Sequence, residues 1–310
     1  VTTTSRRRFL RLAGLAGAAS VVDLPARAAW AARGRPGVGL RLAFFTDVHA
    51  RTEWDTPVAM ARAARAIAAE KADLVIAGGD LITDGFQSAA ATVAPRWRAY
   101  LEMQRAIGGP VEPVLGNHDL VAARPEDGSP ASADPRAVFR SNLGVERTWR
   151  VVDGGGVRLF VLDSVEVTTD ELKYHGRVSA EQLAWLGAEL GRTAGDTPLV
   201  VATHLPLLTG FYQATEGAAE PAPANRVVVN NREVLELFAG HNLVLVLQGH
   251  LHVNELLRWR DTTFITGGAV CGKWWRGSWH GTAEGYGVAT LRPDRVEWDY
   301  RTYGWQSRRP

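Results

Sequence analysis

The chain has 310 residues, 46% of them hydrophobic, which suits a soluble globular body with one large domain or two small ones. Its net charge of +2 is misleading: the first 28 residues hold five arginines and one acid, and without them Lys+Arg falls from 35 to 30 and Asp+Glu from 33 to 32, about −2. That balance argues against a broad basic nucleic-acid-binding face, and a single cysteine, Cys271, excludes an intrachain disulfide.

The N-terminus reads as a signal peptide over 1–28. Ser5-Arg6-Arg7-Arg8-Phe9-Leu10-Arg11 is a charged region, Leu12 to Val22 a short apolar one, and Ala26-Arg27-Ala28 a small-residue cleavage pattern. The apolar part is too short to span a bilayer, which takes about 20 residues. The arginine string resembles a twin-arginine signal. It implies export in the folded state by that machinery, to a periplasmic or extracellular location. No transmembrane helix is expected in the mature chain.

A linker follows over 29–39 and one domain over 40–310. Leu40 to Thr46 reads as a buried strand with Asp47-Val48-His49 at its carboxyl end. Thr56-Pro57 opens an Ala-rich helix, with Thr as cap and Pro at the first helical position. Leu74 to Ala77 is a second strand, ending in Gly78-Gly79-Asp80. A helix from about Ser88 to Ile107 leads to a third strand and to Gly116-Asn117-His118-Asp119. This alternation predicts a parallel α/β sheet.

After a Pro- and Asp-rich loop and a short helix around Ala137 to Leu143, Thr148 to Val152 and Val157 to Leu162 read as a hairpin about Asp153-Gly154-Gly155-Gly156. Ser179 and Gln182 form a capping box at the head of a helix to Leu190. Leu199 to Ala202 is a strand ending in Thr203-His204, and Pro206 to Arg226 a long loop. Asn231 caps a helix that ends at Gly240. Leu243 to Leu247 is a strand ending in Gln248-Gly249-His250-Leu251-His252. The remaining strands are short and read as an antiparallel ending, with no internal repeat and no second domain.

Five apolar strands thus end in metal-ligand types: Asp47 with His49, Asp80, Asn117 with His118, His204, and His250 with His252. Sites in open α/β sheets form outside the carboxyl ends of strands, where groups distant in sequence meet. Carboxylates, imidazoles and an amide with no thiolate suit manganese, iron or zinc. Two carboxylates, four imidazoles and one amide are too many for one ion. Shared by two through one bridging carboxylate, they give each ion four ligands.

The motifs Asp47-x-His49, Gly79-Asp80-x-x-Asp84, Gly116-Asn117-His118-Asp119, His204 and Gly249-His250-x-His252 resemble those of the calcineurin-like metallophosphoesterases. The stretch from Gly176 to Leu186 resembles the bacterial branch that includes cyclic-nucleotide phosphodiesterases. The resemblance implies an α/β fold with two mixed β-sheets packed as a sandwich and flanked by helices. It implies two divalent or mixed-valence ions (Mn, Fe or Zn). One is held by Asp47, His49, Asp80 and His252, the other by Asp80, Asn117, His204 and His250. It leaves His118 to contact the phosphoryl group and protonate the leaving group, while a hydroxide bridging the ions attacks phosphorus.

The expected function is hydrolysis of a small-molecule phosphoester, a diester in preference. The alternatives are an exported phosphomonoesterase and a non-catalytic binding protein on the same fold. A stable nucleic-acid partner is not expected. Asp119 either orients His118 or caps the following segment, and Asp84 either supports a ligand or belongs to the turn. His175 reaches the site mouth or lies in a surface loop. Trp274 and Trp275 form a substrate wall or a packed loop, and the nearby glycines favour the packed loop. Cys271 reads as structural.

Overall fold

The computed structural model describes residues 39–307. The expected signal over 1–28, and the linker over 29–39 apart from its last residue, lie outside them. In chain order the first half runs β1 (Leu40–Phe45), α1 (Thr56–Ala69), β2 (Leu74–Ala77), α2 (Ala90–Ile107), β3 (Val111–Pro113), a 3₁₀ turn (Asn117–Asp119), α3 (Ala137–Leu143), β4 (Arg150–Gly154) and β5 (Val157–Val161). The second half runs β6 (Val165–Val167), β7 (Tyr174–Gly176), α4 (Ala180–Leu190), β8 (Pro198–Ala202), α5 (Phe211–Thr215), α6 (Asn231–Leu237), β9 (Asn242–Gln248), β10 (Glu255–Trp259), β11 (Thr262–Thr266), β12 (Gly285–Leu291) and β13 (Val296–Thr302).

Two mixed sheets result. The first has the order β13-β12-β1-β2-β3 and the second β10-β11-β9-β8-β5-β4, with β6 and β7 as a separate hairpin. The strand–helix alternation alone predicts a parallel sheet, and β1, β2 and β3 do pair in parallel. The late strands change the outcome: β12 runs antiparallel against the free edge of β1 and β13 against β12. In the second sheet β5, β8, β9 and β11 are parallel, and β4 and β10 close its edges antiparallel. This is the sandwich of the metallophosphoesterase fold.

Side-chain alternation divides the core. Leu40, Leu42 and Phe44 of β1, Leu74 and Ile76 of β2, and Val157, Leu159 and Val161 of β5 turn between the sheets. Ala43, Phe45, Val75 and Phe160 turn outward and join the apolar faces of the helices. Both faces being covered, these strands read as near-continuous apolar runs, broken only by Arg41 in β1 and Arg158 in β5.

Three helix starts differ from expectation. At α6 it is Asn230, not Asn231, that holds the cap position, with the helix ending at Leu237 before Gly240. Asp55, in a left-handed conformation, occupies the cap of α1 without a side-chain bond. The Thr56 hydroxyl donates instead to the Glu53 and Arg51 carbonyls. At α4 the Ser179 hydroxyl accepts from the Gln182 N–H, but the Gln182 amide is drawn off to the backbone of Asp163. The loop 206–226 also carries its own short helix, α5.

Phe44 is 1% exposed and sits between the sheets, close enough to Gly78 and Gly267 that a Cβ on either would collide with its ring. Phe44→Ala should lower unfolding stability by about 3–5 kcal/mol, read as a fall in the urea midpoint at unchanged slope. Val58→Ala, at a 53% exposed position, should move the same midpoint by less than about 0.5 kcal/mol. Equal shifts would mean that the inter-sheet layer does not carry the fold.

Candidate metal centre

The sequence-predicted ligand types all lie at the carboxyl ends of β1, β2, β3, β8 and β9, and they come together. Backbone bonds between the loops set this up. The Asp47 N–H donates to the Gly79 carbonyl, His49 N–H to Asp80, Gly249 N–H to His204, and Cys271 N–H to Asp47. Asp47, His49, Asp80, His250 and His252 all have positive φ, between 43° and 72°. Non-glycine residues hold that conformation only where the surroundings impose it, and such strain gathers at functional sites.

Two glycines allow the closest approaches. A Cβ on Gly116 would lie 2.2 Å from Asp80 Oδ1, and one on Gly249 would lie 2.9 Å from Asp47 Oδ2. Neither loop could pass its carboxylate with a side chain there.

Each carboxylate divides its oxygens. Asp47 Oδ2 accepts from the Thr46 hydroxyl (2.7 Å) and the His250 N–H (3.0 Å), which leaves Oδ1 without a partner. Asp80 Oδ1 accepts from the His118 N–H (2.8 Å). Its Oδ2 lies 3.2 Å from His204 Nε2 and 3.6 Å from His49 Nε2.

The imidazoles are turned in the same way. His204 Nδ1 bonds to the Gly78 carbonyl (2.8 Å), and Nε2 faces the cluster. His252 Nδ1 bonds to the Gly272 carbonyl (2.6 Å), and Nε2 lies 3.2 Å from Asp47 Oδ1 and from His49 Nε2. For His250 the order reverses: Nε2 bonds to the Asn225 carbonyl (3.1 Å) and Nδ1 is unpartnered. A backbone carbonyl fixing one ring nitrogen and baring the other is the support a metal-bound histidine needs.

Asn117 Oδ1 and His250 Nδ1 are buried polar atoms without partners, and Asp47 Oδ1 and His204 Nε2 have only ion-pair contacts at 3.2 Å, to His252 and Asp80. Such groups cost free energy unless something satisfies them. Hard oxygens and imidazole nitrogens are the donor set for a divalent first-row ion. The residues therefore fit the metals that the sequence motifs imply. His49, Asp80 and His118 form one group of converging ligand atoms, and Asp80, His204 and His250 another, sharing Asp80.

Charge in the metal-free cluster is balanced. Burial opposes ionisation throughout. Even so, His252 and then His204 hold Asp47 well below the usual carboxylate range, and His204 and His118 do the same for Asp80. In return Asp80 and Asp47 push His204 up to about 9 against its burial, and Asp47 and Cys271 raise His252. Burial, reinforced by His118 for His49 and by His204 and Arg226 for His250, keeps those two rings neutral.

The other sequence candidates divide. His118 is half-buried, and its ring stands edge-on to His49 at 4.6 Å. Its Nδ1 stands 3.1 Å from the Asp84 N–H, an arrangement that favours the tautomer with the proton on Nε2 whenever the ring is neutral. Asp119 does not orient it. The Asp119 carboxylate accepts from the N–H groups of Leu81, Ile82 and Gly116, which braces the β2 and β3 loops against each other. The Asp84 carboxylate faces Arg51 and Arg96.

His175 pairs with Asp170 at 2.7 Å on the β6–β7 hairpin. Its neighbour Tyr174 is the residue that approaches His250, at 6.4 Å between ring centres. Trp275 is buried (2% exposed), and its indole N–H donates to the His49 carbonyl. Trp274 is half-buried with its ring 4.6 Å from that of His252.

Sequence reading missed Arg226. Its guanidinium lies 3.5 Å from His250 Nε2, near Tyr174 and Tyr212. The signal was a lone arginine at the end of the long loop from Pro206.

A family model for calcineurin-like phosphoesterases matches residues 40–254. No curated protein matches the chain. Among solved structures, a dimetal phosphatase from Danio rerio is 15% identical with a TM-score of 0.60, over 85% of this chain and 96% of that one. A purple acid phosphatase from yellow lupin is 17% identical with a TM-score of 0.55, over 85% of this chain and 51% of its own. GAP50, the anchor in the inner membrane complex of Plasmodium, is 14% identical with a TM-score of 0.53, over 87% of this chain and 86% of that one. At these identities the structures share the fold. The family match spans well over half of the sequence and takes in every motif from Asp47 to His252, so the chain belongs to the calcineurin-like phosphoesterases, hydrolases of phosphoric ester bonds.

Proposed function

We propose that this protein is a binuclear phosphoesterase that prefers phosphodiesters. The observation that carries this reading is the convergence of Asp47, His49, Asp80, His204, His250 and His252 at the strand ends, with Asn117 Oδ1 and His250 Nδ1 buried and unpartnered. Asp47, His49, Asp80 and His252 would hold one ion, and Asp80, Asn117, His204 and His250 the other. A pair of divalent ions supplies, when bound, a nucleophile at neutral pH and charge neutralisation for phosphoryl oxygens.

The rest falls to the side chains. His118 Nε2–H donates a hydrogen bond that stabilises the charge on the departing oxygen, and the Asp84 N–H keeps that tautomer in place. Transfer of a proton from this ring starts from its imidazolium form, in which Nδ1 no longer accepts from Asp84. Arg226 attracts a phosphoryl oxygen on the His250 side. The buried rings of His49 and His250 stay neutral and ready to coordinate.

Diester preference draws support from the resemblance of the stretch Gly176 to Leu186, although that stretch is scaffold: Gln182 ties α4 to Asp163. It draws further support from a mouth that offers a guanidinium and an aromatic surface, a set suited to a singly charged ester with an apolar substituent. The similar zebrafish and lupin structures are both of phosphatases, which favours the monoester as second reading. The intact ligand set weighs against a purely binding role. If the N-terminal reading holds, the substrate is met outside the cytoplasm. Among the described residues, no helix is long and apolar enough to cross a membrane.

Metal-stripped protein reloaded with manganese should cleave a chromogenic diester faster than the matching monoester, and chelation should abolish both activities. Asn117→Ala should lose bound metal, and His118→Ala should keep it while kcat falls roughly 10²-fold or more. A monoester preference would make the protein a phosphatase at the same site, and no metal-dependent turnover of either ester would overturn the reading.

Metal loading should also release protons. His204, at about 9, and His252, also raised, are imidazolium at pH 7.5 in the metal-free chain and must become neutral to coordinate. Apparent affinity should therefore rise with pH through about 9, where His204 loses its proton. Calorimetry in two buffers of different protonation enthalpy should detect one to two protons released per chain. Release of none would mean that other groups bind the ions.

Arg226→Gln should raise KM several-fold more than it lowers kcat in the diester assay. An unchanged KM would remove Arg226 from the phosphate contact.

A further inference from the structure

The segment after β11 is tied to the ligand loops. Val270 N–H donates to the Thr46 carbonyl and Cys271 N–H to Asp47. From there the chain makes a tight turn, closed by Lys273 N–H to Gly277 O (2.8 Å) and Trp275 N–H to Cys271 O (2.7 Å). Trp274, Trp275 and His280 take positive φ (47°, 67° and 43°), so neither tryptophan is there by default of backbone preference.

The two adjacent tryptophans do different work. Trp275 is the packing residue: buried, bonded to the His49 carbonyl, and latched from outside by the Ser307 hydroxyl on its own carbonyl. Trp274 packs on the centre itself. Its ring is tilted 36° to His252 at 4.6 Å and lies 6.1 Å from His49, whose other flank is His118 at 4.6 Å.

The surface continues outward. Trp279 meets Trp274 at 6.0 Å, His280 meets Trp279 at 4.5 Å, and Phe211 of α5 meets His280 at 5.0 Å. Lys273 Nζ stands 5.3 Å from the Trp279 ring centre, a cation–π contact that holds the edge of this surface. Trp274, Trp279 and Phe211 are all half-buried. An apolar arc that runs from two ligand imidazoles to the open loop, rather than into the core, is built for a ligand and not for packing.

We propose that Trp274, backed by Trp279, is a stacking shelf for a planar aromatic group on the leaving side of the ester, so that the preferred substrate carries an aryl or nucleobase-bearing leaving group. The leaving side is part of the proposal: His118 and Trp274 both stand against the His49 ring, at 4.6 and 6.1 Å, so a leaving group that meets His118 lies within one ring of the shelf. The proposal rests on the phosphoesterase reading above. It adds a selectivity that the metal ligands cannot give, because they contact only the phosphoryl group common to every substrate.

The test uses the full chain loaded with manganese, as wild type, Trp274→Ala and Trp274→Phe, with metal content measured in each. The substrates are methyl phosphodiesters of a nucleoside 5′-hydroxyl, of phenol and of glycerol. The nucleoside and glycerol alkoxides leave comparably, so the ratio of their kcat/KM isolates stacking. Base stacking on an aromatic side chain should make that ratio fall on the order of 10- to 100-fold in Trp274→Ala, mainly through KM, and Trp274→Phe should restore most of it. A fall confined to the nucleoside arm assigns the shelf to nucleobases, and one confined to the phenyl arm to aryl esters; either supports it. Unchanged ratios in both arms with metal retained overturn it.

A binding arm does not need turnover: quenching of tryptophan fluorescence by a nucleoside monophosphate, compared with glycerol phosphate. Quenching in wild type that is lost in Trp274→Ala and kept in part in Trp274→Phe supports the shelf even if no ester is cleaved, an outcome that would sink only the phosphoesterase reading. Equal response to the two phosphates overturns the shelf even if every ester is cleaved. Should Trp274→Ala fail to fold, the Phe variant and Trp274→Leu carry the same comparison.

Discussion

Asp47 and Asp80 each spend one oxygen on the protein and keep the other for the cavity. The backbone N–H of His250 fixes the first carboxylate and that of His118 the second, each reaching across from a different strand end. A carboxylate held by an N–H is cheaper to keep ionised in a buried site than a free one, since hydrogen bonding to the charged form favours it. The same bond fixes where the free oxygen points. The loops of β1 and β9 are thus joined through Asp47, and those of β2 and β3 through Asp80 and Asp119. Much of the rest of the centre is a consequence of these few bonds.

One consequence is strain. Loops that must deliver side chains to a common point, with their backbones bonded to one another, have few conformations left. Five ligand-type residues are accordingly in the left-handed region, and glycines at 116 and 249 clear the way for the carboxylates. The strain is supported by the rigid layer below. Phe44 and its neighbours lock the two sheets together, and each sheet supplies strand ends to one centre: β1, β2 and β3 from the first, β8 and β9 from the second. A sandwich suits this purpose because it converges two parallel bundles of strand ends, where a single sheet would spread them along a line.

The parts of this arrangement that were legible in the sequence are those in which local pattern and chemistry coincide. Apolar runs ending in Asp, Asn or His marked β1, β2, β3, β8 and β9, and with them the ligand-type residues at those strand ends. Pairing was less legible. Nothing local in Gly285–Leu291 says that it will add to β1 rather than to β11, because edge choice is decided by the whole sandwich; only the family resemblance carried the two-sheet expectation.

Side-chain direction was the least legible of all. Asp119 stands beside His118 in the sequence, yet its carboxylate points to the backbone of 81 and 82. In the pair Trp274 and Trp275 the sequence offered two identical residues, and only the turn geometry separates the one bonded under His49 from the one beside His252. Arg226 lacked any motif, and its relevance comes from where α5 and the loop after it bring the chain. Adjacent residues in a tight turn diverge by large angles, so adjacency in sequence is a poor guide to shared function there.

That divergence has a functional logic. Trp275 and Trp274 are consecutive, so whatever fixes the first also fixes the second. Trp275 is fixed by a bond to the carbonyl of a ligand residue, His49, and by burial. The outer surface at Trp274 is therefore referenced to the same loop that sets the position of the ligands, with no flexible segment in between. A surface anchored in this way does not have to be ordered when a substrate arrives, and the conformational entropy of a mobile loop is not charged to binding. The loop carrying Arg226 is attached less directly, through the Asn225 carbonyl on His250 and the Val229 N–H on Gly176. The two sides of the mouth thus differ in chemistry: an aromatic side tied to the β1 loop through His49, and a charged side tied to the β9 loop through His250.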